Sequence, residues 1–482
     1  MGGIHLFQKH KKLSMIAFIL LILGFVLPMM VPVHSNTYTP PKMKNAEAKE
    51  TYREIAESLG ENVAKDANPA IMITSNEYLG RYIQDNKLTD KQVVSLMKDV
   101  PLYQIEMTGD TNDPFISIDP LTQKMVKADN LSVTAKNDQA VTEFVHKQYG
   151  KEFTLSKKQK REARWDETLA YPEGKVTVYT FTGDFKHDQI SDQVKVMVED
   201  GKIVLADHFA SVNHHGKINS VPFGPMLGLS FGSILVYIVL AVIACCLFVY
   251  NMGKRRIVSF RLPFVPAIIA LVFTEIATVS FEGKLTMASL GFNLFFSVMI
   301  YFVVAVFTKT KENVYSLDEW KEPVYVGFLF ASIGFFLSTV FYTIATMMGA
   351  WSSPSLNFSM LMSDHKWFIV LASLAIGIGA AVSEELTARF AFDKMMSKVP
   401  AVLVALFSSF VWALLHLGYE VYPWYLRVIE LTFVIGPFIY YVYKKYGLKY
   451  SIMLHFFFNS FFSAFELYYY DQGLAIASSV FA

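Results

Sequence analysis

The chain has 482 residues, 53% of them hydrophobic, 15% aromatic and 18% charged, where ordinary soluble domains carry about 25% charge, so it cannot live wholly in water. With 43 Lys and Arg against 42 Asp and Glu the net charge is +1, and no global field points to nucleic acid or an anionic partner. The two cysteines, Cys245 and Cys246, are adjacent in an apolar run, which excludes a disulfide framework and a cysteine-based zinc site.

A hydrocarbon core of about 30 Å needs about 20 apolar residues in a helix, and roughly nine runs of that length occur. The first, 13–33, follows Lys9, Lys11 and Lys12. Read as a secretory signal it would be cut near Val33-His34-Ser35, but its apolar stretch exceeds the usual signal length, so residues 1–34 read as an uncleaved N-terminal anchor. From 35 to 221 charge becomes dense and no span-length run occurs, which marks a water-exposed domain. Asn45 to Asp66 reads as a helix, with Tyr52, Ile55, Leu59 and Val63 on one face. Val176 to Phe185, Gln193 to Glu199 and Ile203 to His208 alternate as antiparallel strands, the last two joined by a Glu199-Asp200-Gly201-Lys202 turn. Helices first and strands later predict an α+β module.

Apolar runs resume at 225–250, 263–281, 287–307, 323–350, 367–391, 400–418, 424–443 and 449–470. Residues 222–482 therefore read as an eight-helix membrane domain. Lys254-Arg255-Arg256, Lys309 with Lys311, Lys394 with Lys398, and Lys444-Lys445 with Lys449 occupy alternate loops. With nine spans they share one side with the N-terminus, and that side is expected to be the cytoplasm. The fold class expected is an all-α polytopic membrane bundle of about nine transmembrane helices with an inserted extracytoplasmic α+β domain, in the cell membrane.

A charge at mid-membrane costs roughly 2.5 to 3.5 kcal/mol by insertion scales, so the polar groups of the last four spans need a reason. One span carries Glu384-Glu385 and Arg389, the next Trp412 and His416, the last His455 and Asn459. Four-residue spacing sets each pair on one helix face, so Glu385 and Arg389 can form a supporting ion pair, while Glu384, rotated by about 100°, is left for other work. A carboxylate, two imidazoles and an amide make a catalytic inventory.

Glu-Glu-x-x-x-Arg, an aromatic-x-x-x-His and His-x-x-x-Asn on successive membrane helices resemble the CPBP family, also called Abi or CAAX-protease-like, which includes the type II CAAX prenyl endopeptidases. The resemblance covers about 367–470 and leaves 35–221 outside. Trp412 stands where the family usually has Phe, a change expected to keep an apolar wall. The resemblance implies peptide-bond hydrolysis in the bilayer, with Glu384 and His416 holding and deprotonating a water and His455 and Asn459 stabilising the oxyanion. The cofactor stays open: Glu384, His416 and His455 could hold Zn²⁺ with a vacant fourth position, but no His-Glu-x-x-His cluster preassembles them. Counting from the loops places His416 farther out than Glu384 and His455, a gap that tilt or a longer helix around Phe392 has to close.

Other polar residues read more plainly. His416 alone would be a helix-helix hydrogen-bond partner. Glu275, and Arg427 with Glu430, read as paired scaffold charges. Glu466 belongs to an interfacial belt with Tyr468 to Tyr470, His214-His215 to an exposed loop, and the 41 Phe to lipid-facing and packing surfaces. The partners expected are the bilayer, a membrane peptide or protein substrate, and an extracytoplasmic partner if 35–221 recruits one; no nucleic acid is expected. A bacterial origin is expected from the short loops and the cysteine-free outer domain. The competing reading is a non-catalytic binding or immunity protein on the same scaffold.

Overall fold

The computed structural model describes residues 2–30, 43–61, 63, 69–86, 88, 90–109, 113–163, 174–185, 189–212, 223–257, 259–282, 285, 287–308, 317–352, 366–417 and 421–471. Val33 to Ser35 and His214-His215 lie outside them, as do the side chains of Glu466 and Tyr468 to Tyr470.

A short helix, α1 (Gly2–Lys9), leads into the apolar α2 (Lys11–Met30). The sheet domain follows. Its first helix, α3 (Asn45–Ser58), stops earlier than expected because Gly60 adopts φ +80°. There the amides of Gly60 and Glu61 turn back to the carbonyls of Glu57 and Ala56, a left-handed cap that glycine adopts without strain. Then come β1 (Ala70–Ser75), α4 (Glu77–Asp85), α5 (Asp90–Leu96), β2 (Tyr103–Thr108), β3 (Phe115–Ile118) and β4 (Met125–Thr134). A second run follows: α6 (Asp138–Gln148), β5 (Thr154–Glu162), β6 (Lys175–Thr182), β7 (Ile190–Glu199) and β8 (Lys202–Val212).

All eight strands form one antiparallel sheet in the order β1-β2-β3-β4-β8-β7-β6-β5. That order is a palindrome: a helix plus a four-stranded meander occurs twice, α3 with β1 to β4 and α6 with β5 to β8, joined across β4 and β8. Helices and strands thus interleave instead of segregating as the sequence pattern suggested. Alternating side chains explain the core, since one sheet face buries Ile105, Ile116, Val194 and Val196 beneath Tyr52 of α3 and Val141 of α6. The β7–β8 hairpin forms as expected, with Glu199 opposite Lys202 and left-handed Asp200 and Gly201 at its tip.

The remaining helices are α7 (Phe223–Gly253), α8 (Phe264–Glu282), α9 (Met287–Phe307), α10 (Lys321–Met347), α11 (Lys366–Glu384), α12 (Ala401–Leu414), α13 (Tyr425–Glu430) and α14 (Leu448–Asp471). Two helices continue through wider π-helical turns: α11 through Glu385–Ala391 into Phe392–Met395, and α13 through Leu431–Ile435 into Gly436–Tyr446. Among the described residues, five segments are long and apolar enough to cross a membrane: Met226–Gly253, Met287–Phe307, Lys321–Met347, Val370–Met395 and Tyr425–Tyr446. The apolar stretches Phe264–Val279 of α8 and Ala401–Leu414 are shorter, and 14 residues of α12 rise only about 21 Å.

Ion pairs tie helix ends together. Lys9 and His10 meet Glu322 at the start of α10 at 2.8 and 2.9 Å, Lys449 of α14 meets Glu319 just before α10 at 2.7 Å, and Lys444 meets Asp393 at 2.8 Å. Ser14 hydrogen-bonds Tyr325 at 2.8 Å and Phe25 packs on Phe335, so α2 runs alongside α10 and parallel to it.

α11 is the central element, packed against α8 and α14. Two glycines permit this. A Cβ on Gly377 would fall on the Ser460 side chain of α14, and one on Gly379 would lie 2.9 Å from the Thr274 backbone nitrogen of α8. Small residues let membrane helices approach this closely. Gly379→Ala should therefore destabilise the fold by about 1 to 3 kcal/mol through overpacking against immovable backbone, whereas Gly291→Ala, with open space around its Cβ, should be neutral. Thermal unfolding midpoints in detergent check this, and equal midpoints would contradict the close crossing.

Candidate active site

Glu384 is the last α-helical residue before the π-helical turn of α11. π segments insert a residue into a helix and recur at functional sites. Here the turn sends the two neighbouring glutamates to different surroundings. Glu385 is fully buried and meets the Arg389 Nε at 3.7 Å and the His455 Nδ1 at 2.9 Å. Glu384 retains 26% side-chain exposure and accepts a hydrogen bond from the Trp412 indole Nε1. His455 Nε2 stands 3.7 Å from the Glu384 Oε2, so one imidazole bridges both carboxylates.

Arg389 is also fully buried. Its nitrogens find no hydrogen-bond acceptor among the described residues, and its charge is met by Glu385 and by the Trp412 ring, 4.0 Å from the guanidinium carbon. A cation over an indole face in a desolvated setting gains about 2 kcal/mol. Trp412 therefore does more than the apolar wall expected of it: its N–H holds Glu384 and its face holds Arg389, whereas a Phe would supply only the face.

α12 ends at Leu414, so His416 lies in the turn just beyond it, where the expected span to 418 had placed it inside a helix. Its Nδ1 sits 3.0 Å from the Trp412 carbonyl, and its ring meets the indole edge-on, with centroids 4.9 Å apart. Glu384, Arg427 and His455 are all within its electrostatic reach. The helix around Phe392 runs on to Met395, past the expected end at 391, and Glu384 meets the Trp412 side chain, with His416 four residues farther along the chain. On α14, Asn459 follows His455 by one turn and is partly buried. The structure thus gathers Glu384, Glu385, Arg389, Trp412 and His455 by direct contact and places His416 against Trp412.

Glu384 opens on a cavity of about 280 Å³ between α7, α8, α9, α11 and α12. Apolar walls from Phe292, Phe296 and Ile376 are interrupted by Asn293, whose amide donates to Thr278 at 3.2 Å. Neither residue carries a motif, which is why sequence reasoning passed over them.

The residues fit a zinc ion poorly. Among the described residues no three His, Cys, Asp or Glu converge on a common point, and the Glu384 oxygen facing His455 already binds the indole N–H.

Arg427 and Glu430 pair as expected, at 2.6 Å, and Glu430 also receives Ser338 at 2.5 Å and Tyr342 at 2.8 Å. The expectation fails for Glu275, whose two oxygens are buried without a hydrogen-bond partner among the described residues. Its neighbours one turn away, Leu271, Val272, Thr278 and Val279, include no cation.

Removing either Glu385 or Arg389 strands the other's charge inside the bundle, at a cost of about 3 to 5 kcal/mol. Glu385→Ala and Arg389→Ala should therefore lower the yield of monodisperse protein in size-exclusion chromatography well below that of Glu384→Ala. Equal yields would contradict the division of roles between the two glutamates.

Residues 366–461 match the family model of the Rce1-like type II CAAX prenyl endopeptidases. No curated protein and no solved structure matches the chain. The matched segment runs from the first residue of α11 past Asn459 and takes in all three motifs, so the CPBP resemblance read from Glu384-Glu385, His416 and His455 is shown as a domain match over 366–461: this part of the chain is similar to the Rce1-like CAAX protease family.

Proposed function

We propose that the protein is an intramembrane endopeptidase that cleaves a membrane-associated peptide or protein, with Glu384 as the general base. The observation that carries this reading is that Glu384, within the family-matched segment, faces the cavity while its neighbour Glu385 is neutralised behind it.

A water held between Glu384 and His416 gives its proton to the Glu384 carboxylate as its oxygen bonds to the scissile carbonyl carbon. The carbonyl electron pair moves onto oxygen, where the His455 Nε2–H and the Asn459 amide stabilise the oxyanion. The Glu385 carboxylate on Nδ1 holds the ring with Nε2 turned toward Glu384. Donors of this kind act most strongly where water is excluded. When the intermediate collapses, the carbon–nitrogen bond breaks and Glu384 returns its proton to the departing amine.

Comparative membrane proteomics of wild-type and Glu384→Gln cells tests the activity. An uncleaved membrane protein should accumulate in the mutant, with cleavage reduced about 10² to 10⁴-fold and the protein still folded; Asn459→Ala should lose about 10² to 10³-fold. Unchanged cleavage in Glu384→Gln would sink the mechanism and favour a non-catalytic binding role. For the metal question, a strong chelator should leave purified enzyme active; loss of activity restored by Zn²⁺ would assign the water to zinc.

We also propose nine membrane crossings, with the sheet domain outside the cytoplasm of a bacterial cell. Four features support this: the alternation of basic loops, the parallel course of α2 and α10, the Lys449–Glu319 pair between the starts of α14 and α10, and the Lys444–Asp393 pair between the ends of two other spans. Each of the last three joins helix ends that nine alternating crossings place on one face. A reporter that works only in the cytoplasm should be active when fused after Arg256 or Lys445 and inactive near Gly174. The reverse pattern would overturn the topology.

A further inference from the structure

β5 differs from the other strands. It ends the sheet, pairs only with β6, and leaves every side chain except Arg161 exposed on both faces. Its outer edge makes no backbone hydrogen bond among the described residues. Nine residues with an unpaired edge form a template for another strand. Four of them, Lys157, Lys158, Lys160 and Arg161, are basic.

Lys158 reaches Asp138 at 2.7 Å and an Arg161 nitrogen donates to the Glu162 carbonyl. Two of these cations, Lys157 and Lys160, are not balanced by an ion pair among the described residues. The register of β5 sets them on opposite faces, so charge flanks the open edge on both sides.

We propose that the β5 edge binds an acidic, extended segment of a protein partner by adding it to the sheet as a further strand. Backbone hydrogen bonds would supply affinity and the lysines would select charge. The like charge that guards such an edge against neutral strands also repels a second copy of itself, and an acidic strand turns that repulsion into attraction. Position favours a soluble segment over a lipid surface. β1, the opposite edge, lies against membrane helix α8, and seven strand spacings put β5 roughly 30 Å away from it.

The test uses the full chain in nanodiscs and an acetylated ten-residue peptide in which glutamate alternates with valine and threonine. Hydrogen exchange should slow at the amides of 154–162 when the peptide binds. Lys157→Glu with Lys160→Glu should weaken binding at least tenfold, and Lys157→Gln with Lys160→Gln should do so less. The same peptide methylated at alternate backbone nitrogens should bind at least tenfold more weakly. Equal binding of the methylated peptide would mean charge attraction without strand addition, and so overturn the proposal. So would protection of 154–162 by anionic lipid vesicles, or by raising the protein concentration alone. None of these measurements requires protease activity, so the proposal stands or falls apart from the catalytic reading.

Discussion

Two adjacent carboxylates in an apolar bundle cannot share one environment. Like charges about 4 Å apart repel by about 4 kcal/mol at an effective dielectric of 20, before either is taken out of water. The helix separates Glu384 from Glu385 around its axis, and the surroundings complete the separation. Glu385 is enclosed and met by Arg389 and His455, whereas Glu384 keeps partial exposure and a single neutral donor, Trp412. One carboxylate is thereby committed to structure and the other left for chemistry. Because His455 touches both, removing Glu385 would change what His455 can donate as well as the local charge balance.

The rest of the membrane domain positions this arrangement. Gly377 and Gly379 let α11 pass closely between α14 and α8, which brings His455 to one side of the glutamates and the cavity to the other. The Glu430 network, with Arg427, Ser338 and Tyr342, ties α13 to α10. Buried polar groups satisfied in this way fix one arrangement of helices where apolar packing alone would tolerate several.

Much of this is legible in the sequence. Span-length apolar runs, the change of composition after Ser35 and the three four-residue motifs need only counting and helical periodicity. What escaped depends on partners distant in sequence. The π-helical turn from Glu385 is a shift in backbone hydrogen bonding that no local residue pattern marks. The bond from Trp412 to Glu384 spans 28 residues, and His455 finds Glu385 across 70. β5 was missed because an edge strand exposed on both faces has no apolar alternation. The palindromic sheet is a feature of strand order, which local patterns do not report. Asn293 and Thr278 reach the cavity only because α8 and α9 pack side by side.

The central claim is that the Glu384 carboxylate activates water and does not itself attack the substrate. A single turnover in H₂¹⁸O, followed by mass spectrometry of the new carboxyl terminus, separates the two. Attack by water activated at Glu384 predicts one ¹⁸O in the product of the first turnover. A product unlabelled in that turnover, carrying an oxygen donated by the enzyme, would make Glu384 a nucleophile and contradict the account.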